Sequence, residues 1–79
     1  MVRAYIFVEA LKAHERQVAD EIRGLPGVTH ADVVTGHFDV VVQVQVADLG
    51  LLWDTVDRIQ ALAAVTKTTT NLIVEPYDR

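Results

Sequence analysis

Two short stretches of this chain carry groups suited to holding a small polar molecule: Gly36-His37-Phe38-Asp39 and Thr68-Thr69-Thr70. Backbone N–H groups of a glycine turn can bind a carboxylate. A carboxylate such as Asp39 can hold an amino group by a charge-assisted hydrogen bond. An anion acceptor beside a cation acceptor is what a zwitterionic amino acid requires. On a strand Thr68 and Thr70 point one way and Thr69 the other, so two hydroxyls can donate to or accept from one ligand. Each stretch also has a plain structural reading. Threonine suits strands, and Gly and Asp suit turns.

Other chemistries find less support. The chain has 3 His and 0 Cys. His14, His30 and His37 show no i, i+4 or His-x-His spacing, so no metal site is expected. There is no serine or cysteine nucleophile, and the threonines do not fall on a sharp strand-to-helix turn. The 4 Gly are scattered, so no phosphate loop forms. The expectation is a protein that is not an enzyme and needs no cofactor.

Composition narrows the partners. At 79 residues the chain makes one domain, and a domain of roughly this size is marginal alone and commonly leans on self-association. Its 51% hydrophobic content points the same way. The net charge of −4 offers no electrostatic footprint for nucleic acid. No apolar run is long enough to span a membrane, and no signal peptide is evident, so the reading is of a cytoplasmic protein.

The elements that must position the two stretches are legible. Residues 2–9 read as a strand, largely buried on both faces, with Val2, Ile6, Phe7 and Val8. Residues 12–24 turn to helical period, with Leu11, Val18, Ile22 and Leu25 as the apolar stripe. Gly24 suits a left-handed cap, and Pro26 forbids continuation. Val28 to Thr35 and Phe38 to Val46 read as strands joined by a tight type II′ turn at Gly36-His37. In the third strand Val40, Val42, Val44 and Val46 share one face, expected under helices. Asp48 stands where an N-cap belongs. Leu49, Leu52, Val56, Ile59 and Ala63 form a second stripe, and Thr66 to Glu75 the last strand, bounded by Pro76. The tail Tyr77-Asp78-Arg79 is expected to fray.

The chain also repeats itself. Leu25-Pro26-Gly27-Val28-Thr29 recurs as Leu62-Ala63-Ala64-Val65-Thr66, each copy following a helix and preceding a strand. The result is an α+β, ferredoxin-like βαββαβ chain. Its four-stranded antiparallel sheet would have the first and third strands central and both helices on one face. The open face would carry Tyr5, Phe7, Ala31, Val33 and Val41 beside Gln43 and Gln45, an apolar surface suited to a second copy. The RNA-recognition fold shares this topology and stacks bases on exposed aromatics. Here the third strand offers Val41, Gln43 and Gln45, so Tyr5 and Phe7 read as interface packing.

Gly36-x-x-Asp39 leading into Val40-Val41-Val42-x-Val44-x-Val46-x-Asp48-Leu49, with Leu62-x-x-Val65 leading to Thr68-x-Thr70-x-x-Ile73-Val74, resembles the effector-binding domain of the Lrp/AsnC transcriptional regulators. The resemblance covers nearly the whole chain. It implies a homodimer of sheets that assembles into tetramers, octamers or rings, with amino acid effectors in clefts between dimers. It implies ligand contacts from Gly36 and Asp39, from the backbone of His37 and Phe38, and from Thr68 and Thr70. Family regulators carry an N-terminal helix-turn-helix, whereas this chain begins at the first strand. The expectation is therefore a stand-alone effector domain, without DNA binding of its own, that can co-assemble with full-length regulators; the alternatives are a purely structural oligomerisation domain and a small ferredoxin-like enzyme.

Overall fold

A computed structural model of the chain describes residues 1–74. The order is β1 (Val2–Ala10), α1 (Glu15–Arg23), β2 (Val28–Val33), β3 (Val40–Val46), α2 (Leu49–Gln60) and β4 (Val65–Leu72). The four strands form one antiparallel sheet in the order β2-β3-β1-β4, with β3 and β1 central as the sequence pattern predicts.

Alternation builds the core. Ala4, Ile6 and Val8 of β1 are buried, as are Val40, Val42, Val44 and Val46 of β3. Val18, Ala19 and Ile22 of α1 and Leu52, Val56 and Ile59 of α2 close over them. Burying a branched side chain of this size contributes about 1.5–3 kcal/mol, so this single layer supplies the main drive to fold. β1 is buried on this face only, because Tyr5 on the other side is exposed. Asp48 caps α2, accepting from the Leu51 N–H at 2.9 Å.

The helix–strand turns that repeat in sequence also repeat in structure. Leu25 N–H donates to Ile22 O and Val28 N–H to Leu25 O; Leu62 N–H donates to Ile59 O and Val65 N–H to Leu62 O. The carbonyl of Gly27 accepts from Gln45 N–H at 2.8 Å, and that of Ala64 from Leu11 N–H at 2.8 Å. These shared bonds anchor each helix exit to the sheet.

Several expectations change. α1 begins at Glu15, because Ala13 takes φ +72°, outside helix, and the His14 N–H closes a turn on Leu11 O at 3.0 Å. Leu11 is exposed and is not part of the α1 stripe. Gly24 ends α1 in right-handed geometry, and the left-handed position falls on Gly27, at φ +86°. In α2 the stripe holds for Leu52, Val56 and Ile59 but Leu49 is exposed, and Ala64 fills the core where Ala63 does not. β4 begins at Val65 and ends at Leu72; Ile73 N–H still donates to Arg3 O at 2.9 Å. The expected strand end at Glu75, the Pro76 boundary and the fraying of Tyr77-Asp78-Arg79 lie outside the described residues.

The open face also differs. The pairing of β2 with β3 shifts between Val28 and His30, so Val28 faces Val44 while His30 faces Gln43. This bulge inverts the parity of the strand. Ala31 and Val33 sit opposite the buried Val42 and Val40, on the helix face, and Ala31 is fully buried. The open face instead takes His30 and Asp32 from β2, beside Val41 and Gln43 of β3 and Tyr5 and Phe7 of β1. It is therefore more polar along its β2 margin than alternation alone predicts.

Candidate functional site

The segment between β2 and β3 is a loop, not a two-residue turn. Val34 N–H donates to Asp39 O at 2.9 Å and closes Thr35 to Phe38 into a bulb. Gly36 takes φ +107° inside it, a region that glycine enters without penalty. The strands stop short of the expected Thr35 and Phe38 because the Phe38 ring turns back onto the sheet. Its centroid lies 5.1 Å from that of Phe7, and Phe7 lies 6.3 Å from Tyr5. The His37 ring meets Phe38 edge-on, also at 5.1 Å. An aromatic run thus joins the loop to the open face.

Asp39 has a defined task within the chain. β3 pairs with β1 as far as Val40 opposite Val8, so on the β3 side Ala10 lies beyond the last paired residue, although it still pairs with Val65 of β4. The Asp39 carboxylate supplies one: Ala10 N–H donates to Oδ2 at 2.7 Å, and Asp39 N–H donates to Val8 O at 3.0 Å. The loop is thereby fixed at two points to the end of β1. Among the described residues the other carboxylate oxygen, Oδ1, has no hydrogen bond.

Thr68 and Thr70 flank β1 from its opposite side. They pair with Val8 and Ile6, whose side chains are buried, so both hydroxyls belong to the helix-covered face. Thr68 Oγ1 accepts from Gln60 Nε2 at 2.9 Å. Thr68 also lines a shallow cleft of about 280 Å³ with Gln60, Thr66 and Lys67. Thr69 pairs with Phe7 on the open face. Within one chain, then, Gly36, His37, Phe38 and Asp39 form one cluster and Thr68 and Thr70 another. Asp39 and Thr68 both adjoin Val8, two strand spacings apart, or about 10 Å.

The histidines are dispersed: His14 precedes α1, His30 lies in β2 and His37 in the loop. No three His, Asp or Glu side chains converge as a metal site among the described residues. None of the helices in these residues is long and apolar enough to cross a membrane.

At the far end of β3, a cleft of about 360 Å³ opens between α2 and the Pro26-Gly27 turn, where the sequence pattern predicts no site. Val46, Leu51, Asp54 and Arg58 contribute to its walls. The only trace of it in sequence is the i, i+4 spacing of Asp54 and Arg58 on α2.

Comparison with known proteins places this geometry. The structure is similar to that of TTHA0845 from Thermus thermophilus, with a TM-score of 0.93 and 30% identity over 100% of both chains. It is similar in fold to AsnC of E. coli, with a TM-score of 0.85 and 22% identity over 99% of this chain and 54% of that one. It is likewise similar to the transcriptional regulator NMB0573 of Neisseria meningitidis, solved as a complex with L-Met, with a TM-score of 0.83 and 22% identity. The match spans 99% of this chain and 53% of that regulator. No curated protein sequence matches. The model of the Lrp/AsnC ligand binding domain matches residues 3–79, and with it the chain belongs to the Lrp/AsnC ligand binding domain family.

Proposed function

We propose that this protein is a cytoplasmic, non-enzymatic effector-binding and self-assembly module that serves transcriptional regulation without contacting DNA itself. The effector is an amino acid. Gly36, the His37 and Phe38 backbone and Asp39 contact it from one protomer, while Thr68 and Thr70 line the same interprotomer cleft. Two copies pair through the open sheet faces, and dimers assemble further, alone or with full-length regulators of the family.

The observation that carries this reading is the aromatic run from His37 through Phe38 and Phe7 to Tyr5. It connects the ligand loop mechanically to the face that a second copy would cover. A ligand that settles the loop then favours one arrangement of that face, and by linkage assembly favours the ligand in return. The L-Met complex of the similar Neisseria regulator supports an amino acid as the class of effector. The separation of the loop from Thr68 and Thr70 within one chain is consistent with a site completed by a neighbouring protomer.

A thermal-unfolding panel with each of the common amino acids at millimolar concentration tests the effector. A ligand at about 100 times its Kd stabilises the native state by about 2.7 kcal/mol, which raises Tm by roughly 10–20 °C in so small a domain. Asp39→Asn is the matching variant, because the amide oxygen can still accept from Ala10 N–H while the charge is lost. It should keep its ligand-free Tm within a few degrees and lose most of the ligand-induced rise. A flat panel would remove the amino acid effector and leave a purely structural assembly domain.

A further inference from the structure

The cleft between α2 and the Pro26-Gly27 turn belongs to no part of the site proposed above. β3 runs from Val40, beside the loop, to Val46, in the cleft wall. At strand rise that separates the two by about 20 Å.

Its walls are built before any ligand arrives. Gln45 N–H donates to Gly27 O at 2.8 Å, which ties the turn to β3. The Thr55 hydroxyl, almost fully buried, lies 3.0 Å from Leu51 O and 3.4 Å from Pro26 O, which ties the turn to α2. Gly27 permits the close approach, since a Cβ there would lie 2.5 Å from Val46 Cγ1. A volume of about 360 Å³ falls within the range of small-ligand pockets.

The lining is graded in polarity. Pro26, Val46 and Leu51 make an apolar part. Asp54 and Arg58, one helical turn apart on α2, are exposed and have no side-chain partner among the described residues. An Asp four residues before an Arg ordinarily pairs with it on a helix surface. Here both charges line a pocket and each is available to a ligand. A guanidinium suits a carboxylate, a carboxylate suits an ammonium, and the apolar part suits a short aliphatic chain.

We propose that this cleft is a second, intraprotomer site for a small aliphatic α-amino acid. Arg58 holds its carboxylate, Asp54 holds its ammonium, and its side chain lies against Leu51, Val46 and Pro26. This site needs no neighbouring protomer and is independent of the loop site at Gly36 to Asp39.

Amide chemical shifts of the full chain, titrated with three probes, test the assignment. L-Norleucine carries both charges, 2-oxohexanoate lacks the ammonium, and pentylamine lacks the carboxylate. L-Norleucine should give saturable shifts at Gly27, Val46 and Leu51. The two analogues should bind about tenfold or more weakly, the loss of one charge-assisted contact each. Arg58→Gln should weaken norleucine by a similar factor, and Ala47→Trp, at an exposed lining position, should block it. Asp39→Asn should leave these shifts in place, which separates this cleft from the loop site. No saturable shift at Gly27, Val46 and Leu51, or equal affinity in wild type and R58Q, would overturn the proposal.

Discussion

The two helix–strand turns do the same job with different residues. Leu25-Pro26-Gly27-Val28 and Leu62-Ala63-Ala64-Val65 make matching hydrogen bonds, and each offers one carbonyl as acceptor to a backbone N–H elsewhere in the sheet system. The first copy places a left-handed glycine hard against Val46 and borders a cleft. The second places Ala64 in the core with no positive φ. The hydrogen-bond frame is therefore a property of the topology, whereas the free volume beside it depends on which residue fills the third position. The halves differ at their helix starts too. Asp48 caps α2 through its side chain, while His14 makes no side-chain cap for α1.

Exchanging the third residues breaks the comparison most sharply. Gly27→Ala adds a left-handed alanine, costing about 1–2 kcal/mol, and an overpacked contact with Val46, costing about 1–3. A loss of about 3 kcal/mol is expected, a Tm lower by roughly 15 °C on calorimetry. Ala64→Gly should cost only about 1.5 kcal/mol, from one buried methyl and added unfolded-chain entropy. Equal losses would mean that the turns are not distinguished by backbone conformation.

The helix starts give a middle-sized effect. Asp48→Ala removes a cap and should cost about 1 kcal/mol in urea unfolding. His14→Ala should change stability by no more than about 0.5 kcal/mol, because no cap bond is lost. The smallest effect has the opposite sign. Ala13→Gly relieves a left-handed alanine at the α1 entry, offset by chain entropy, and should stabilise by about 0.5 kcal/mol. A destabilised Ala13→Gly would show that the alanine methyl makes a contact worth more than the strain.

Much of the fold was legible because local and global preferences agree. The valine alternation of β3, the Asp48 cap and the stripe of Leu52, Val56 and Ile59 each stand where their periodicity puts them. The errors concentrate where a single residue changes the count. Leu11 reads as helical by spacing, but Ala13 at φ +72° separates it from α1. Ala31 and Val33 read as open-face residues, but the bulge after Val28 turns them to the helix side of the sheet, where Ala31 is buried and Val33 stays exposed at the edge. Nothing in the residue types marks that bulge, and one inserted residue moves every later side chain to the other face.

The candidate sites divide in the same way. The sequence by itself determined the family, the βαββαβ order and the central strands, because these rest on residue type and short-range spacing. Tertiary structure alone decided that the Asp39 carboxylate accepts from Ala10 N–H on the β3 side of β1 and that Phe38 folds onto Phe7. It alone decided that Thr68 and Thr70 lie across β1 from the loop. It alone also opened a cleft between Pro26, Val46 and Arg58. These follow from strand register and helix placement, which bring together residues far apart in the chain. Spacing in sequence carries no record of that.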